Sequence, residues 1–253
     1  MSRALSFGEV AERYERFRPG YPSELVDAVL AYAGGPVRRA LEIGAGTGKA
    51  TRAFAARGVH VTATDPDAAM LAELRRQGSA GVVTVQGALE DLQLAERFDL
   101  VFAAASLHWT QPAGRWPRIA ALLEPDGIVA SFGGPLELAD PALRRAVADA
   151  RSPFLDDDGV SSPDGTPAGS ALQWPGTELE RSSLFGDVRQ LVLEQRLLWP
   201  ADEYVGYLST VSAYLQLPAA QREQVFTRVR AVLPAQVEVT ADVVLHLARR
   251  RPS

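Results

Sequence analysis

The stretch from Ala40 to Asp65 constrains this chain more than any other. It runs Ala40-Leu41-Glu42-Ile43-Gly44-Ala45-Gly46-Thr47-Gly48, continues through a helical segment, and closes on Val59-His60-Val61-Thr62-Ala63-Thr64-Asp65. An apolar run, three alternating glycines, a helix and a second apolar run ending on a carboxylate make half of a nucleotide-binding βαβ unit. The glycines allow a tight turn and let a ligand lie against the main chain, where a Cβ would block it. Asp65 falls at the carboxyl end of the second strand, where open α/β sheets bind ligands, and can accept hydrogen bonds from a ribose diol. A plainer alternative, a glycine turn that only packs helix on strand, leaves Glu42 and Asp65 as coincidences.

Spacing narrows the ligand. A dinucleotide fingerprint reads Gly-x-Gly-x-x-Gly, and its last glycine would fall on Lys49. Glu42 stands just ahead of the turn instead, where it repels a pyrophosphate and attracts an ammonium group. The ligand that suits both ends is an adenosine bearing a cationic amino-acid group and no phosphate. In Glu42-x-Gly44-x-Gly46-x-Gly48 followed by Asp65, the chain resembles the class I S-adenosylmethionine (SAM)-dependent methyltransferases. The resemblance implies S-adenosyl-L-methionine as cofactor and S-adenosyl-L-homocysteine (SAH) as product. It implies an α/β fold, a Rossmann-like seven-stranded doubly wound sheet with the last strand antiparallel, plus a helical cap. It also implies cofactor contacts from Glu42, Gly44, Ala45, Gly46, Thr47, Gly48, Asp65, Pro66 and Ser106.

Composition excludes several alternatives. The 253 residues, 47% hydrophobic and 23% charged, suit one globular domain with a full core and admit a small subdomain. A net charge of −5 gives no basic field for a nucleic-acid backbone. No window approaches the roughly 20 apolar residues of a membrane span, and residues 1–10 hold no signal-peptide core, so a cytoplasmic protein is expected. With no cysteine there is neither a disulfide framework nor a thiolate nucleophile, and the three histidines are too scattered for a metal cluster. Lys49 is the only lysine, an arginine bias that reads as GC-rich bacterial coding.

In chain order, residues 1–35 form an entry segment, 36–133 the cofactor-binding core, 134–187 an insertion or cap, and 188–253 the C-terminal strands with cap helices. Phe7, Val10, Ala11 and Tyr14 fall at helical spacing, and Pro19-Gly20-Tyr21-Pro22 ends that turn. Ser23 is expected to cap a helix over 24–33. Strands are expected at 39–44, 59–65, 82–86, 98–105, 128–132, 188–199 and 237–248. Helices fill 47–57, 116–123, 141–151, 201–215 and 218–233, with another starting at Pro66. Residues 152–177, rich in Pro, Gly, Ser and Asp, read as loop. Asp156-Asp157-Asp158 lacks calcium-loop spacing and reads as solvated surface, as does the Arg249-Arg250-Arg251 tail.

The segment Tyr14-x-x-x-Arg18-Pro19-x-Tyr21-Pro22 looks like the entry segment of small-molecule enzymes similar to trans-aconitate methyltransferase, where it lies across the cofactor. Arg18 then meets a carboxylate and Tyr14 or Tyr21 lies near the sulfonium; alternatively, Arg18 caps the preceding helix and the tyrosines fill the core edge. The same resemblance sets Met70 over one face of the adenine and Ala88 and Leu89 against its ring, with Glu90 or a nearby backbone amide at its amino edge. Against these stand a core methionine and a solvated loop carboxylate. Ser106-Leu107-His108-Trp109 follows the continuously apolar strand 98–105. His108 is the best candidate for a catalytic base or for a substrate-pocket wall, and Trp109 for the pocket floor. Gly206 to Tyr214 resembles the cap segment of the same group, so Tyr207, Thr210 and Ser212 are candidate substrate residues, against the plain reading of that stripe as core.

The expected partner is a small organic molecule, a carboxylate or a natural-product intermediate, with an acyl group tethered to a carrier protein also admitted. Nucleic acid and membrane are excluded, and the chain is expected to be a monomer or homodimer. An alternative activity is a non-methylating reaction such as a cyclisation on the same fold, because fold does not dictate chemistry. A NAD-linked oxidoreductase is disfavoured by Glu42 and Lys49.

Overall fold

The computed structural model describes residues 10–159, 162–167 and 169–252. Phe7, the expected start of the first apolar stripe, lies outside them. Helices α1 (Ala11–Phe17) and α2 (Ser23–Ala33) lead into β1 (Arg39–Ile43), α3 (Lys49–Ala55), β2 (His60–Asp65), α4 (Ala68–Gln77), β3 (Val82–Gln86), β4 (Phe98–Ala104), α5 (Arg115–Leu122) and β5 (Leu123–Gly133). After these come β6 (Glu137–Leu138), α6 (Pro141–Arg151), α7 (Gly176–Arg181), β7 (Phe185–Leu193), β8 (Arg196–Pro200) and α8 (Ala201–Leu208). The last elements are α9 (Ser212–Leu215), α10 (Ala219–Val232), β9 (Gln236–Thr240) and β10 (Val243–Arg250). The chain divides into a larger unit of residues 20–133, 161–193 and 244–253, and a smaller unit of residues 1–19, 134–160 and 194–243.

The larger unit is a Rossmann-like α/β layer structure. Its seven strands lie in the order β3-β2-β1-β4-β5-β10-β7. The first five are parallel neighbours, and β10 runs antiparallel to β5. β4 is apolar without alternation because helices cover both faces of a parallel sheet. On one face Leu41, Phe98, Val101, Ile119 and Val129 pack with Leu179 and Phe185. Phe54, Phe102 and Phe132 pack ring on ring, and Tyr21 meets Phe132 edge-on at 4.9 Å between centroids. Strand order reverses between β1 and β4, so the chain leaves their carboxyl ends in opposite directions. That divergence opens the crevice where doubly wound sheets bind ligands.

The smaller unit has its own core. β6, β9 and β8 form an antiparallel sheet against which Val147, Tyr204, Tyr214, Val225 and Val229 pack. Two expected strands prove to be broken. Residues 188–199 divide into β7 and β8, and residues 237–248 into β9 and β10, with the members of each pair in different sheets. The two interruptions are tied together: Ala241 N donates to Gln195 O at 2.9 Å, and Gln195 N to the Asp242 carboxylate at 2.9 Å.

The expected helix 201–215 also breaks. Ser209 Oγ donates to Gly206 O and Thr210 Oγ1 to Tyr207 O, side-chain bonds that compete with the backbone ladder. Ser23 does not cap α2; it is the first helical residue after Pro22, and its hydroxyl donates to Glu24. Two expected solvated runs are partly engaged. Asp158 pairs with Arg151 and accepts from Tyr214 Oη at 2.8 Å. Arg249 donates to the carbonyls of Tyr32 and Asp126, both at 2.8 Å, Arg250 to that of Leu123, and Arg251 Nε to that of Phe185.

Candidate functional site

The loop after β1 is folded by its glycines, each for a different reason. Gly44, Gly46 and Gly48 all have positive φ (66°, 56° and 85°), a region that costs L-residues with a Cβ. A Cβ on Gly44 would stand 2.5 Å from Ser106 Cβ, and one on Gly48 equally close to Leu74 Cγ. The plain packing reading therefore accounts for those two glycines. Around Gly46 nothing lies within 4 Å of the place a Cβ would take, so the protein leaves that side of the loop open. Gly46 N donates to Asp65 Oδ2 at 2.9 Å, and Asp67 N to Asp65 Oδ1 at 2.8 Å. Asp65 is thus held rigidly at the end of β2, and burial raises its carboxyl above the ordinary aspartate range. Ala45 N is fixed on Thr64 O, and Pro66 O accepts from Gln86 Nε2.

Glu42 is the unusual member. Its side chain has no exposed surface, one carboxyl oxygen accepts from the Thr51 hydroxyl of α3, and the other has no partner. Burial pushes its carboxyl up to about 8, against the lowering effect of the Thr51 bond. The carboxyl expected to face an ammonium is buried in this structure, and burial favours its protonated form. The loop holds a second orphan: Thr47 Oγ1 is buried without a partner. Two unsatisfied buried polar atoms within one turn of an open glycine fit a ligand with polar groups at this loop, since such atoms are costly when left unpaired.

The carboxyl end of β4 meets this loop. Ala105 has φ 53°, a strained value for a residue with a Cβ, and its N–H donates to Phe132 O at 2.7 Å. The turn carries Ser106 back so that its hydroxyl donates to the Ile43 carbonyl of β1. Leu107–Trp109 then forms a single 3₁₀ turn. His108 and Trp109 are half-buried, with ring centroids 4.5 Å apart. Glu90 accepts from Gln111 N, joining the loop after β3 to the end of this turn.

The remaining candidates separate. Tyr21, Met70, Ala88, Leu89 and Glu90 belong to the larger unit with the glycine loop, whereas Tyr14, Arg18, Tyr207, Thr210 and Ser212 belong to the smaller one. There the Arg18 guanidinium lies over the rings of Tyr14 and Tyr207, at 5.2 and 4.7 Å, and donates Nε to Thr210 Oγ1 and Nη2 to Thr210 O. Arg18, expected among cofactor contacts, is thus grouped with the residues expected at the substrate. It does not cap α1 through its side chain; only its backbone N–H returns to Tyr14 O. Met70 is buried, as its plain reading as a core methionine had it, and Leu89 is buried within the core cluster.

Sequence reasoning missed Thr51 as a partner of Glu42, and missed Arg115 and Glu178 altogether. Thr51 was detectable as an inward-facing polar residue on α3, one that a buried acid would need. The separation of Arg115 from Glu178 by 63 residues left no such signal. Among the described residues no cluster suits a metal ion, and no helix is long and apolar enough to cross a membrane.

Residues 41–131, from β1 into β5, match a family model described as a methyltransferase domain. A methyltransferase of Mycobacterium tuberculosis, named as uncharacterized, is 40% identical over 125 residues, covering 49% of this chain and 50% of its own. The malonyl-[acyl-carrier protein] O-methyltransferase of Enterobacter lignolyticus is 33% identical over 132 residues, covering 50% of this chain and 51% of that relative. The chain thus spans about half the length of the curated relatives it matches. Among solved structures, a candidate type II methyltransferase of Anaeromyxobacter dehalogenans superposes with a TM-score of 0.66 at 24% identity, over 94% of this chain and 100% of that one. Haemonchus contortus phosphoethanolamine N-methyltransferase 2, solved with SAM, superposes with a TM-score of 0.55 at 15% identity, over 100% of this chain and 60% of that one. Both structural likenesses concern the fold.

Proposed function

We infer, with residues 41–131 a methyltransferase domain of the class I, SAM-dependent type, that this protein binds SAM at the β1 loop and methylates a small organic molecule. The observation that carries the reading is the open glycine Gly46, whose N–H holds the carboxylate of Asp65 at the end of β2. Asp65 accepts from the ribose hydroxyls. Gly46 lets the ligand approach the main chain, with the buried Glu42 and Thr47 as polar groups behind the loop. Tyr21, Pro66, Ala88 and Glu90 supply the surrounding contacts.

SAM supplies a methyl group already activated on a sulfonium. The protein's share is therefore to orient the acceptor and exclude water, with a base needed only where the acceptor arrives protonated. His108, displayed after β4, takes that proton. Tyr207, Thr210 and Ser212 are the substrate candidates of the smaller unit, and Arg18, bonded to Thr210 and lying over the Tyr207 ring, gives it a cation that suits an acid. The net charge of −5 and the relative named for malonyl-[acyl-carrier protein] support a free or carrier-bound carboxylate over nucleic acid.

Calorimetry with SAH and with NAD tests the cofactor: SAH binds and NAD does not. Labelled-methyl transfer from SAM into a panel of carboxylic acids and their amides tests the reaction. Tight binding of NAD, or label-free products with every acid that binds, would overturn it.

A further inference from the structure

Arg115 is among the largest fully buried side chains of the protein, at 2% exposure. A guanidinium does not go there without satisfying its donors. Nε donates to Thr110 Oγ1 at 2.7 Å, Nη2 to Thr110 O at 2.9 Å and Nη1 to Glu178 Oε2 at 3.0 Å, while the plane lies over the Trp174 ring. Thr110 Oγ1 passes its own proton to Leu107 O at 2.7 Å, and Thr110 N donates to the same carbonyl at 3.1 Å. Those bonds close the 3₁₀ turn that displays His108 and Trp109. Glu178 Oε2 accepts a second bond from Trp116 Nε1 at 2.8 Å, which fixes the carboxylate. Burial works against the charge of Arg115, and Glu178 offsets it.

We propose that Arg115 and Glu178 are positioning residues for His108 and Trp109, forming a relay from α7 through α5 to the turn after β4. Arginine's planar fork can hold both atoms of Thr110 and one carboxylate oxygen at once, which a lysine cannot do. The opposite end of the turn is held by Ser106 on Ile43 O, and its exit by Glu90 on Gln111 N. The relay supplies a further attachment, and it brings α7 to bear on a turn some 70 residues earlier in the chain. That this turn faces the acceptor rests on the function proposed above; that the relay sets the turn's conformation does not.

The test follows the His108 ring by NMR, in a protein whose other histidines are only His60 and His246, together with hydrogen exchange of the full-length chain. In Glu178→Gln and Arg115→Lys, the Trp109 and Thr110 amides should exchange at least tenfold faster and the His108 resonance should move, with His60 unmoved. Glu73→Gln, which breaks an Arg76 pair on α4, should leave His108 and both amides as they were. If Glu178→Gln does not fold, Trp116→Phe, which removes one of the two groups fixing the carboxylate, decides by the same signals. Unmoved His108 and unchanged exchange in a folded variant overturn the relay. Failure of the unaltered protein to bind SAH overturns the proposed function and leaves the relay standing.

Discussion

Glu42 and the three loop glycines show how much of the site turns on single atoms. The Glu42 carboxyl titrates near 4.5 when unfolded and near 8 in the fold. Between those values the folded chain holds a proton that the unfolded chain has released. Its contribution to stability therefore falls as pH rises from about 4.5 to 8, and levels off above. Glu42→Gln keeps an acceptor for Thr51 and should flatten that slope, read from urea midpoints at several pH values across the window. The glycines divide by what surrounds them. Gly46→Ala meets no neighbour and should cost only the left-handed strain of about 1–2 kcal/mol, yet reduce SAH affinity at least tenfold by filling the open side of the loop. Gly44→Ala adds overlap with Ser106 and should cost about 1–3 kcal/mol more. Ala105→Gly relieves a positive φ and should be neutral or stabilising, by up to about 1 kcal/mol in the same urea series. The glycine spacing, Asp65 and the β4 exit were all legible from the sequence, because each is a local pattern of backbone and charge. Burial was not: Glu42 reads identically as a solvated anion and as a sealed acid, and only the packing of α3 decides between them.

Among elements, the first five strands and their helices could be read in order, since period and punctuation mark a doubly wound sheet. The C-terminal half could not, because hydropathy records that a residue is buried and not in which sheet. Residues 188–199 and 237–248 look like continuous strands, yet Gln195 and Asp242 pair where each stretch leaves one sheet and enters another. The basic tail misled in the opposite direction. Three arginines in sequence suggest solvent, but Arg249 binds carbonyls of Tyr32, Ala33 and Asp126 and lies over the Tyr32 ring at 5.3 Å. Charged donors to carbonyls contribute about 1.5–3 kcal/mol, so Arg249→Ala should lower unfolding free energy by about that much. Arg196→Ala, which loses an exposed pair with Glu238 on β8, should change it by less than about 1 kcal/mol. A chemical denaturation series compares the two directly.

For the molecule as a whole, the candidate residues divide between the two units. The larger holds the glycine loop, Asp65 and the His108 turn, and the family match falls within it. A ligand that binds only the folded state stabilises by RT ln(1 + [L]/Kd), about 2.7 kcal/mol at a hundredfold excess over Kd. SAH at that excess should raise the thermal midpoint, whereas the same concentration of NAD should leave it in place; a shift with NAD alone would point to a phosphate-bearing coenzyme. The second core around Tyr204, Tyr214 and Val229 was not legible as a separate body. Its strands are short, and its helices share the apolar stripe of any buried helix.

The place of β10 has a consequence for how this chain is made. It lies between β5 and β7 in the sheet order, although it is the latest of the ten to leave the ribosome. Until it emerges, β7 has no neighbour in that sheet and β5 presents an open flank of backbone donors and acceptors. The nascent larger unit is thus an incomplete template, receptive to stray strands. The last of these ten strands to be made is the one that closes it.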